Sequence, residues 1–304
     1  MSAPLEGTVL ERDGATYRVA VGGGEVRAVL RKKAKRGEER VVVGDDVALE
    51  PEAQGGLHAI VSVQPRRSLL ERRVPEGRGA RPVVANADRV AVVTAPRDPL
   101  PVLQLLDRLL VVAAVNEIEA EVVVNKADLD PEGAAALATR FGRAGYVVRQ
   151  TSAKRGIGVD DFRADLAGRV TVVTGPSGVG KSSLLNAIQP GLALRTQEVS
   201  ARVGRGRHTT VGALMVPLVA GGYIVDTPGF SEVGLWGVAP RELARCFPEF
   251  VPLLEQCRFA DCTHLREPGC RVLAAVQAGS VSADRHESYV VLAAELEAEP
   301  EAWE

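Results

Sequence analysis

The chain has 304 residues, of which 46% are hydrophobic, and its formal net charge is −2. This apolar content can fill the cores of two or three domains, whereas the balanced charge indicates no particular class of partner. The N-terminus carries no apolar run of signal-peptide length, and no stretch of about 18 apolar residues occurs, which argues against secretion and membrane insertion. We therefore expect a soluble, monomeric protein of the cytoplasm.

Residues 1–67 are predicted to form a small barrel. Five short segments between residues 6 and 63 are rich in β-branched side chains and are separated by glycine, aspartate or charged residues. Closely spaced strands of this kind are typical of closed barrels of the OB or SH3-like type.

Residues 31–36 of this region are densely cationic, since five of the six are basic. We predict that this segment contacts the phosphate backbone of an RNA through Arg31, Lys32, Lys33, Lys35 and Arg36. The alternative is a solvated hairpin tip without a partner.

The rest of the chain is predicted to contain a linker and two further domains. Residues 68–85 are basic and contain proline and glycine, which predicts a linker. Between residues 86 and 238, apolar strands alternate with helices, which predicts an α/β domain with a mostly parallel sheet. Residues 239–304 are predicted to be helical, and their last helix to run from about Asp284 to Glu297.

A phosphate-binding loop follows the apolar strand VTVVT and opens the helix SSLLNAI. Residues 175–182 read GPSGVGKS, which matches G-x-x-x-x-G-K-[ST] without deviation. Its glycines let backbone N–H groups point at one anion, Lys181 supplies a cation to the β- and γ-phosphates, and Ser182 offers a hydroxyl to Mg²⁺. The predicted nucleotide-binding residues here are Ser177, Gly178, Val179, Gly180, Lys181, Ser182 and Ser183.

Two motifs at strand ends indicate that the base is guanine. The first comprises Asn125, Lys126, Ala127 and Asp128. The carboxylate of Asp128 can accept from the N1–H and the exocyclic amine of guanine, which adenine does not offer together, and the stem of Lys126 can lie over the ring. The second motif, Ser152-Ala153-Lys154, resembles the companion guanine loop of GTPases.

A fourth motif, residues 226–229 (DTPG), matches the D-x-x-G element. There Asp226 is expected to hold the Mg²⁺ shell through water, and the N–H of Gly229 to sense the γ-phosphate. Conventional GTPases begin with the phosphate loop, but here both guanine motifs precede it, which predicts a circularly permuted GTPase. Gly229 then leads within about two dozen residues into the cysteine region, so the nucleotide state could pass directly to that domain.

All four cysteines lie between residues 246 and 270. Cys257, Cys262, His264 and Cys270 form a Cys₃His set within 14 residues, which predicts one closed, structural Zn²⁺ site. Disulfides are the alternative, although a reducing compartment and the histidine favour zinc. Cys246 is predicted to be a small buried apolar residue.

With these motifs in place, the chain closely resembles the RsgA (YjeQ/YloQ) family of small-ribosomal-subunit assembly GTPases. The resemblance covers nearly the whole chain and includes ANADRVAVV, GRGRHTT at 204–210, DTPGFSE at 226–232 and CRFADCTHLREPGC. It implies an OB-fold barrel, a permuted GTPase core and a zinc domain. It further implies binding to the small subunit late in maturation, ribosome-stimulated turnover, and release upon GTP hydrolysis.

Two positions depart from the family pattern, since Val211 stands where a third threonine is common and His286 where a tyrosine is common. The C-terminal tail is also short, which weakens inferences about contacts made by longer tails. In the family's switch segment, Thr209 or Thr210 is expected to complete the Mg²⁺ shell beside Ser182 and Asp226.

The residue after the D-x-x-G element is Phe230, where Ras-type GTPases have a water-orienting glutamine. We predict that His208 takes this catalytic role, because an imidazole can accept from or orient water near neutral pH. The alternative is that His208 is a mobile residue that contacts solvent or rRNA. Other functions considered are an ATPase or nucleotide kinase, an RNA-binding scaffold with negligible hydrolysis, and a GTPase that acts on the large subunit.

Overall fold

The computed structural model describes residues 4–31, 40–51, 56–73, 80–192, 213–227 and 238–298. The first five strands close a barrel in the order β1-β2-β3-β5-β4, in which β3 and β5 are parallel. This confirms the predicted five-stranded barrel and gives it an OB-like strand order. The strands are β1 (Leu5–Asp13), β2 (Thr16–Val21), β3 (Gly24–Leu30), β4 (Asp46–Pro51) and β5 (His58–Val63).

The segment predicted as a linker contains an antiparallel hairpin of β6 (Leu69–Arg73) and β7 (Ala80–Ala85). Leu70 and Val84, which are paired across this hairpin, are fully buried. The N–H of Ala85 donates to the carbonyl of Val43 at 2.8 Å. The segment is therefore packed between the barrel and the following domain, because Leu70 and Val84 belong to one apolar cluster with Leu10 of β1 and Leu109.

A six-stranded sheet forms the centre of the molecule, in the order β10-β9-β8-β11-β13-β12. All neighbouring strands are parallel except β12 and β13. The edge strand β12 lies beside β1 of the barrel, and β10 forms the opposite edge. The strands are β8 (Arg89–Thr94), β9 (Glu119–Val124), β10 (Val147–Gln150), β11 (Val170–Thr174), β12 (Leu214–Pro217) and β13 (Tyr223–Asp226).

Helices cover both faces of this sheet, as the alternation of strands and helices predicts. Every residue of β8 is buried, and its alternate side chains point to opposite faces. Val90 and Val92 belong to the same apolar cluster as α1 and α2, whereas Ala91 and Val93 pack with α3 and α4. The helices are α1 (Leu103–Val115), α2 (Pro131–Arg143), α3 (Val159–Leu166) and α4 (Lys181–Ile188).

Helices also dominate the C-terminal region, as predicted. A 3₁₀ helix is followed by three α-helices, of which the last matches the expected terminal helix within one residue at each end. They are the 3₁₀ helix (Pro240–Cys246), α5 (Val251–Leu254), α6 (Arg271–Gln277) and α7 (Ala283–Ala298). Cys246 is buried in the apolar cluster, in agreement with its predicted role. Within the described ranges, no helix combines the length and apolarity needed to cross a bilayer.

A buried ion network joins the C-terminal helices to the GTPase domain. The side chains of Asp107 on α1 and Arg285 on α7 are both fully buried and lie 2.8 Å apart. Asp107 also accepts from Arg140 of α2 at 2.8 Å and from Ser288 at 2.6 Å, while Arg285 binds Glu249 at 2.6 Å. Burial opposes ionisation of Asp107, but hydrogen bonds and charge from the two arginines hold its pKa below the ordinary value.

We expect Arg285→Met to destabilise the protein by roughly 3–5 kcal/mol, because it leaves the buried carboxylate of Glu249 without Arg285 and leaves Asp107 with Arg140 as its remaining cation. Arg108→Met is the matched control, since Arg108 and Glu295 join the same two helices through a partly exposed pair. Its cost should stay below about 1 kcal/mol. Urea unfolding at neutral pH measures both changes, and equal costs for the two variants would show that the buried network does not hold the domains together.

Candidate functional site

The four nucleotide motifs meet at the carboxyl edge of the parallel strands. NKAD follows β9, SAK follows β10, the phosphate loop follows β11, and Asp226 ends β13. Open parallel sheets bind ligands at this edge because loops from neighbouring strands converge there. The permuted order of the motifs along the chain does not disturb this arrangement. β8 and β11 are neighbouring strands of the sheet, although 75 residues lie between the end of β8 and the start of β11.

Two glycines of the phosphate loop occupy places that exclude any side chain. Gly175 has φ +138°, and a Cβ there would lie 2.1 Å from the carbonyl oxygen of Val93. Gly180 has φ +89°, and a Cβ there would lie 2.6 Å from Nδ2 of Asn125. The loop is therefore in close backbone contact with β8 and with the guanine motif, and it leads into the N-terminus of α4, where an anion is favoured.

Lys181 is held within the phosphate loop by two backbone acceptors. Its Nζ donates to the carbonyls of Gly175 and Pro176 at 2.7 and 2.8 Å. Burial lowers the pKa of Lys181, and the charge of nearby Asp226 partly opposes this shift. The ammonium group thus lies beside both the loop and the end of β13, where it can interact with a phosphate. Ser177, Gly178, Ser182 and Ser183 are exposed, while Val179 is buried.

Asn125 links the phosphate loop to both guanine motifs. Its side chain is 1% exposed, and Nδ2 donates to the carbonyl of Val179 at 3.0 Å. Its Oδ1 accepts from the N–H of Ala153 at 3.1 Å and from the hydroxyl of Thr151 at 3.3 Å. These bonds fix the relative position of three loops, so Asn125 shapes the nucleotide site through its neighbours.

The other guanine-motif residues surround the same region. Lys126 adopts φ +58°, its stem lies over Gly180, and its Nζ donates to the carbonyl of Asp98. The side chain of Asp128 is 16% exposed, with the exposed guanidinium of Arg155 at 4.0 Å. Ser152 is buried and Lys154 is exposed. Because the carboxylate of Asp128 is partly accessible and the stem of Lys126 belongs to the same motif, these two side chains can recognise a base.

The loop between β8 and α1 is a part of the site that the motifs do not indicate. A Cβ placed at Gly178 would lie 3.4 Å from the ring of Pro99, and the preceding Asp98 accepts from Lys126. Residues 95–102 therefore flank both the phosphate loop and the guanine motif. Their sequence, APRDPLPV, has three prolines and no recognisable nucleotide pattern, so only the proximity of β8 to β11 reveals this role.

Several predicted residues lie outside the described part of the chain. These are Lys32, Lys33, Lys35 and Arg36 of the cationic loop, His208, Thr209 and Thr210 of the switch segment, and Gly229. Of the predicted RNA contacts, Arg31 is described; it is exposed and forms an ion pair with Glu50 at 2.7 Å. Asp226 is described and ends β13 beside β11.

The predicted metal ligands converge on one point in the C-terminal domain. One donor atom from each of Cys257, Cys262, His264 and Cys270 lies within 4.8 Å of all the others. Nδ1 of His264 is 3.6 Å from the sulfur of Cys257 and 3.4 Å from that of Cys270. All four cysteines of the chain are free thiols, so the disulfide alternative is not observed. The set fits a tetrahedral metal ion in size and donor chemistry.

Surrounding groups orient these ligands. The backbone N–H groups of Arg271 and Leu273 donate to the sulfurs of Cys257 and Cys270 at 3.4 and 3.5 Å, which helps to fix the positions of these two sulfurs. From α7, Nε2 of His286 donates to the carbonyl of His264 at 2.8 Å, and the Tyr289 hydroxyl donates to a neighbouring carbonyl at 2.7 Å. Spacing alone does not reveal the roles of His286 and Tyr289, which lie 22 and 26 residues along the chain from the residues whose carbonyls they bind.

The site geometry defines a P-loop GTPase whose guanine motifs precede the phosphate loop, with a metal-binding domain after it. A model of the RsgA GTPase family matches residues 63–236. The proteins named "Small ribosomal subunit biogenesis GTPase RsgA" from Gemmatimonas aurantiaca and Moorella thermoacetica are 49% and 46% identical to this chain. The alignments cover 97% and 96% of this chain, and 99% and 97% of those proteins.

Solved structures agree over the full length. The crystal structure of YjeQ from Thermotoga maritima matches with a TM-score of 0.81 and 33% identity, over 97% of this chain and 99% of that one. The structure of YloQ, a circularly permuted GTPase, matches with a TM-score of 0.76 and 25% identity, over 98% and 97%. The chain belongs to the RsgA GTPase family and is a GTP hydrolase.

We expect the metal to hold the segment between Cys257 and Cys270 in place. Cys262→Ser should lower metal content to well below one ion per chain and loosen this segment, because metal binding and local folding are coupled. Hydrogen exchange measured by mass spectrometry should show the loss of protection there, while the central sheet stays protected. Cys246→Ser is the control, since that cysteine lies outside the cluster. Full metal content in Cys262→Ser would remove this residue from the ligand set.

Proposed function

We propose that this protein binds the small ribosomal subunit late in its maturation, hydrolyses GTP to GDP and phosphate at a subunit-stimulated rate, and leaves upon hydrolysis. The observation that carries the proposal is the full-length similarity to relatives whose names state a role in small-subunit biogenesis. The similarity includes the barrel and the cysteine domain, which GTP hydrolysis alone does not require. The phosphate loop and the guanine motifs support the GTP-hydrolysis step of this proposal.

We assign the nucleotide contacts by motif. The loop from Ser177 to Ser183 surrounds the β- and γ-phosphates, with Lys181 as the cation and backbone N–H groups as donors. Asp128 reads the guanine edge, Lys126 covers the ring, and the loop from Ser152 to Lys154 closes the base pocket. Asn125 acts on the nucleotide by holding these loops together, as its hydrogen bonds indicate.

The proposed Mg²⁺ shell combines Ser182 and Asp226 with Thr209 or Thr210 of the switch segment. When bound, this ion neutralises charge on the phosphates. Gly229 is proposed to sense the γ-phosphate through its N–H. The position of Lys181 near Asp226 supports this arrangement, because it brings the end of β13 next to the phosphate loop.

We propose that the Cys₃His cluster holds one zinc ion with a structural role. Three thiolates and an imidazole are soft and borderline donors that suit zinc, and four protein ligands leave no position for a substrate. The proposed RNA contact is the loop with Arg31, Lys32, Lys33, Lys35 and Arg36. Dense positive charge in the sequence between β3 and β4 suits a phosphate backbone.

Co-sedimentation with purified ribosomal subunits tests the function. We expect stable binding to small subunits with a non-hydrolysable GTP analogue, weaker binding with GDP, and no binding to large subunits. Neutral replacements at the five basic loop positions should weaken binding and flatten its salt dependence, with the intrinsic GTPase rate near parental. Equal binding in both nucleotide states would contradict release upon hydrolysis, and preference for large subunits would contradict the proposed target.

We further propose His208 as the group that orients the attacking water. Phe230 occupies the position where Ras-type GTPases have a glutamine, and its ring has no hydrogen-bonding atom. His208 directly precedes the two switch threonines, and an imidazole titrates near neutral pH.

His208→Ala should retain GTP affinity and subunit binding but lose about 10²-fold or more of the subunit-stimulated rate. Phosphate release with and without small subunits measures this, and His58→Ala provides a control histidine on the barrel. A stimulated rate equal to the parental one would exclude His208 from catalysis.

A further inference from the structure

Three arginines from different segments lie where the barrel meets the hairpin of β6 and β7. Arg12 is the penultimate residue of β1, Arg40 lies in the segment between β3 and β4, and Arg81 lies on β7. Arg40 and Arg81 are exposed, and Arg12 is half-buried. We call these three residues the arginine cluster.

The backbone places two members of the cluster side by side. β7 runs parallel to the segment before β4, since Val84 is paired with Val43, and the N–H of Ala85 donates to the carbonyl of Val43 at 2.8 Å. Three residues earlier on each of these parallel segments are Arg40 and Arg81, which are therefore neighbours.

Electrostatic effects show that Arg12 is also nearby. Partial burial lowers the pKa of Arg40, and the charges of Arg12 and Arg81 lower it further. Arg40 is therefore within electrostatic reach of both other guanidinium groups. Nε of Arg12 donates to the carbonyl of Gly14 at 3.1 Å, and its guanidinium lies over the ring of Tyr17, 5.8 Å from the centroid. These two contacts orient Arg12, but neither supplies a negative charge.

The cluster has no counter-charge among the described residues, where none of its members forms an ion pair. Other arginines of the same region are each bound to a carboxylate: Arg18 to Glu11 at 3.0 Å, Arg66 to Asp45 at 2.7 Å and Arg67 to Asp88 at 2.8 Å. Like charges that lie close together without a counter-ion repel, so the cluster is unfavourable in the protein alone. An external anion would relieve this repulsion.

The phosphate groups of a nucleic-acid backbone suit this arrangement. A guanidinium group is a planar fork that binds two phosphate oxygens at once, and several such groups on one surface can neutralise several phosphates. The exposure of Arg40 and Arg81 leaves their guanidinium groups accessible. Leu70 of the hairpin shares an apolar cluster with Leu10 of β1 and Leu109 of α1, so an RNA held here would contact the junction of two domains.

We propose that Arg12, Arg40 and Arg81 form an RNA-binding surface at the junction of the barrel and the hairpin, separate from residues 31–36. The cluster holds the phosphate backbone and does not read the base sequence. This inference rests on the proposed function for the source of the RNA, which is the small ribosomal subunit.

Filter binding of the full chain to protein-free rRNA of the small subunit, over a range of salt concentrations, tests this surface. Each of Arg12→Gln, Arg40→Gln and Arg81→Gln, made separately, should weaken binding by about threefold or more, because one phosphate contact is lost. The slope of log affinity against log salt should become shallower by about 0.7–0.9 in each variant. The corresponding Arg→Lys changes keep the charge and should retain the parental slope.

Arg27→Gln is the matched control for each of these changes. Arg27 is exposed and forms no ion pair among the described residues, but it is paired with Arg18 of β2, whereas Arg12 is paired with Tyr17. Consecutive residues of a strand point to opposite faces, so Arg27 lies on the other side of the barrel wall from Arg12. This variant removes an equal charge and should change RNA binding by less than about twofold.

Equal effects of Arg27→Gln and the three cluster variants would overturn the surface, as would binding that no cluster variant weakens. Equal competition by poly-L-glutamate would show that carboxylates serve as well as phosphates, and it would overturn the assignment to RNA. Urea unfolding verifies that each variant is folded. If the parental protein binds free rRNA through the cluster but does not co-sediment with small subunits, the proposed function fails and this surface stands.

Discussion

The interaction on which the rest of the structure depends is made by Asp107, a buried carboxylate that accepts from side chains of two other helices. It lies on α1 of the GTPase domain and binds Arg140 on α2, Arg285 on α7 and Ser288, also on α7. A buried charge is tolerated only when its partners are all present. The C-terminal domain therefore has one favoured position on the nucleotide domain. Since the Asp107 pKa is lowered, the carboxylate stays ionised, and its contribution is lost only when the pH falls below about 4.

Because the C-terminal domain is held in this position, the permuted chain order can connect it to the nucleotide site. The end of β13 carries Asp226, a member of the proposed Mg²⁺ shell, and the chain continues from there towards the 3₁₀ helix and the cysteine cluster. The same cluster is supported from α7, where His286 and Tyr289 bind its backbone, and α7 is anchored on α1 by Arg285. Two routes thus connect the nucleotide site with the metal domain, one along the chain and one through packing.

Much of this architecture follows from local sequence patterns. Strand alternation specifies the barrel, the largely apolar β8 specifies a strand buried on both faces, and the four motifs specify the edge where we propose that the nucleotide binds. The Cys₃His spacing brings its donor atoms together because all four lie in one short segment. The family that these motifs predict is confirmed, since the chain belongs to the RsgA GTPase family.

What the sequence does not reveal are contacts between distant segments. Residues 68–85 look like a linker, since arginines and glycines interrupt the few apolar residues, but Leu70 and Val84 are buried in an apolar cluster that also contains Leu10 of β1 and Leu109 of α1. Residues 95–102 carry no motif, and their place beside Gly178 depends on sheet order. Arg285 looks like a surface residue of an acidic helix, yet its side chain is fully buried because two carboxylates from other elements surround it.

The placement of the barrel beside β12 also governs how the sheet can meet other chains. An open strand edge offers unpaired backbone groups that can template pairing with another protein. The edge at β12 is adjacent to β1, so the barrel shields that side. The opposite edge strand, β10, has four residues, and its Arg149 is engaged by Glu121 and Asp165. A short strand that carries a charged side chain is a poor template for strand pairing. Both edges of the sheet therefore disfavour pairing with strands of other proteins, β12 because the barrel covers it and β10 because it is short.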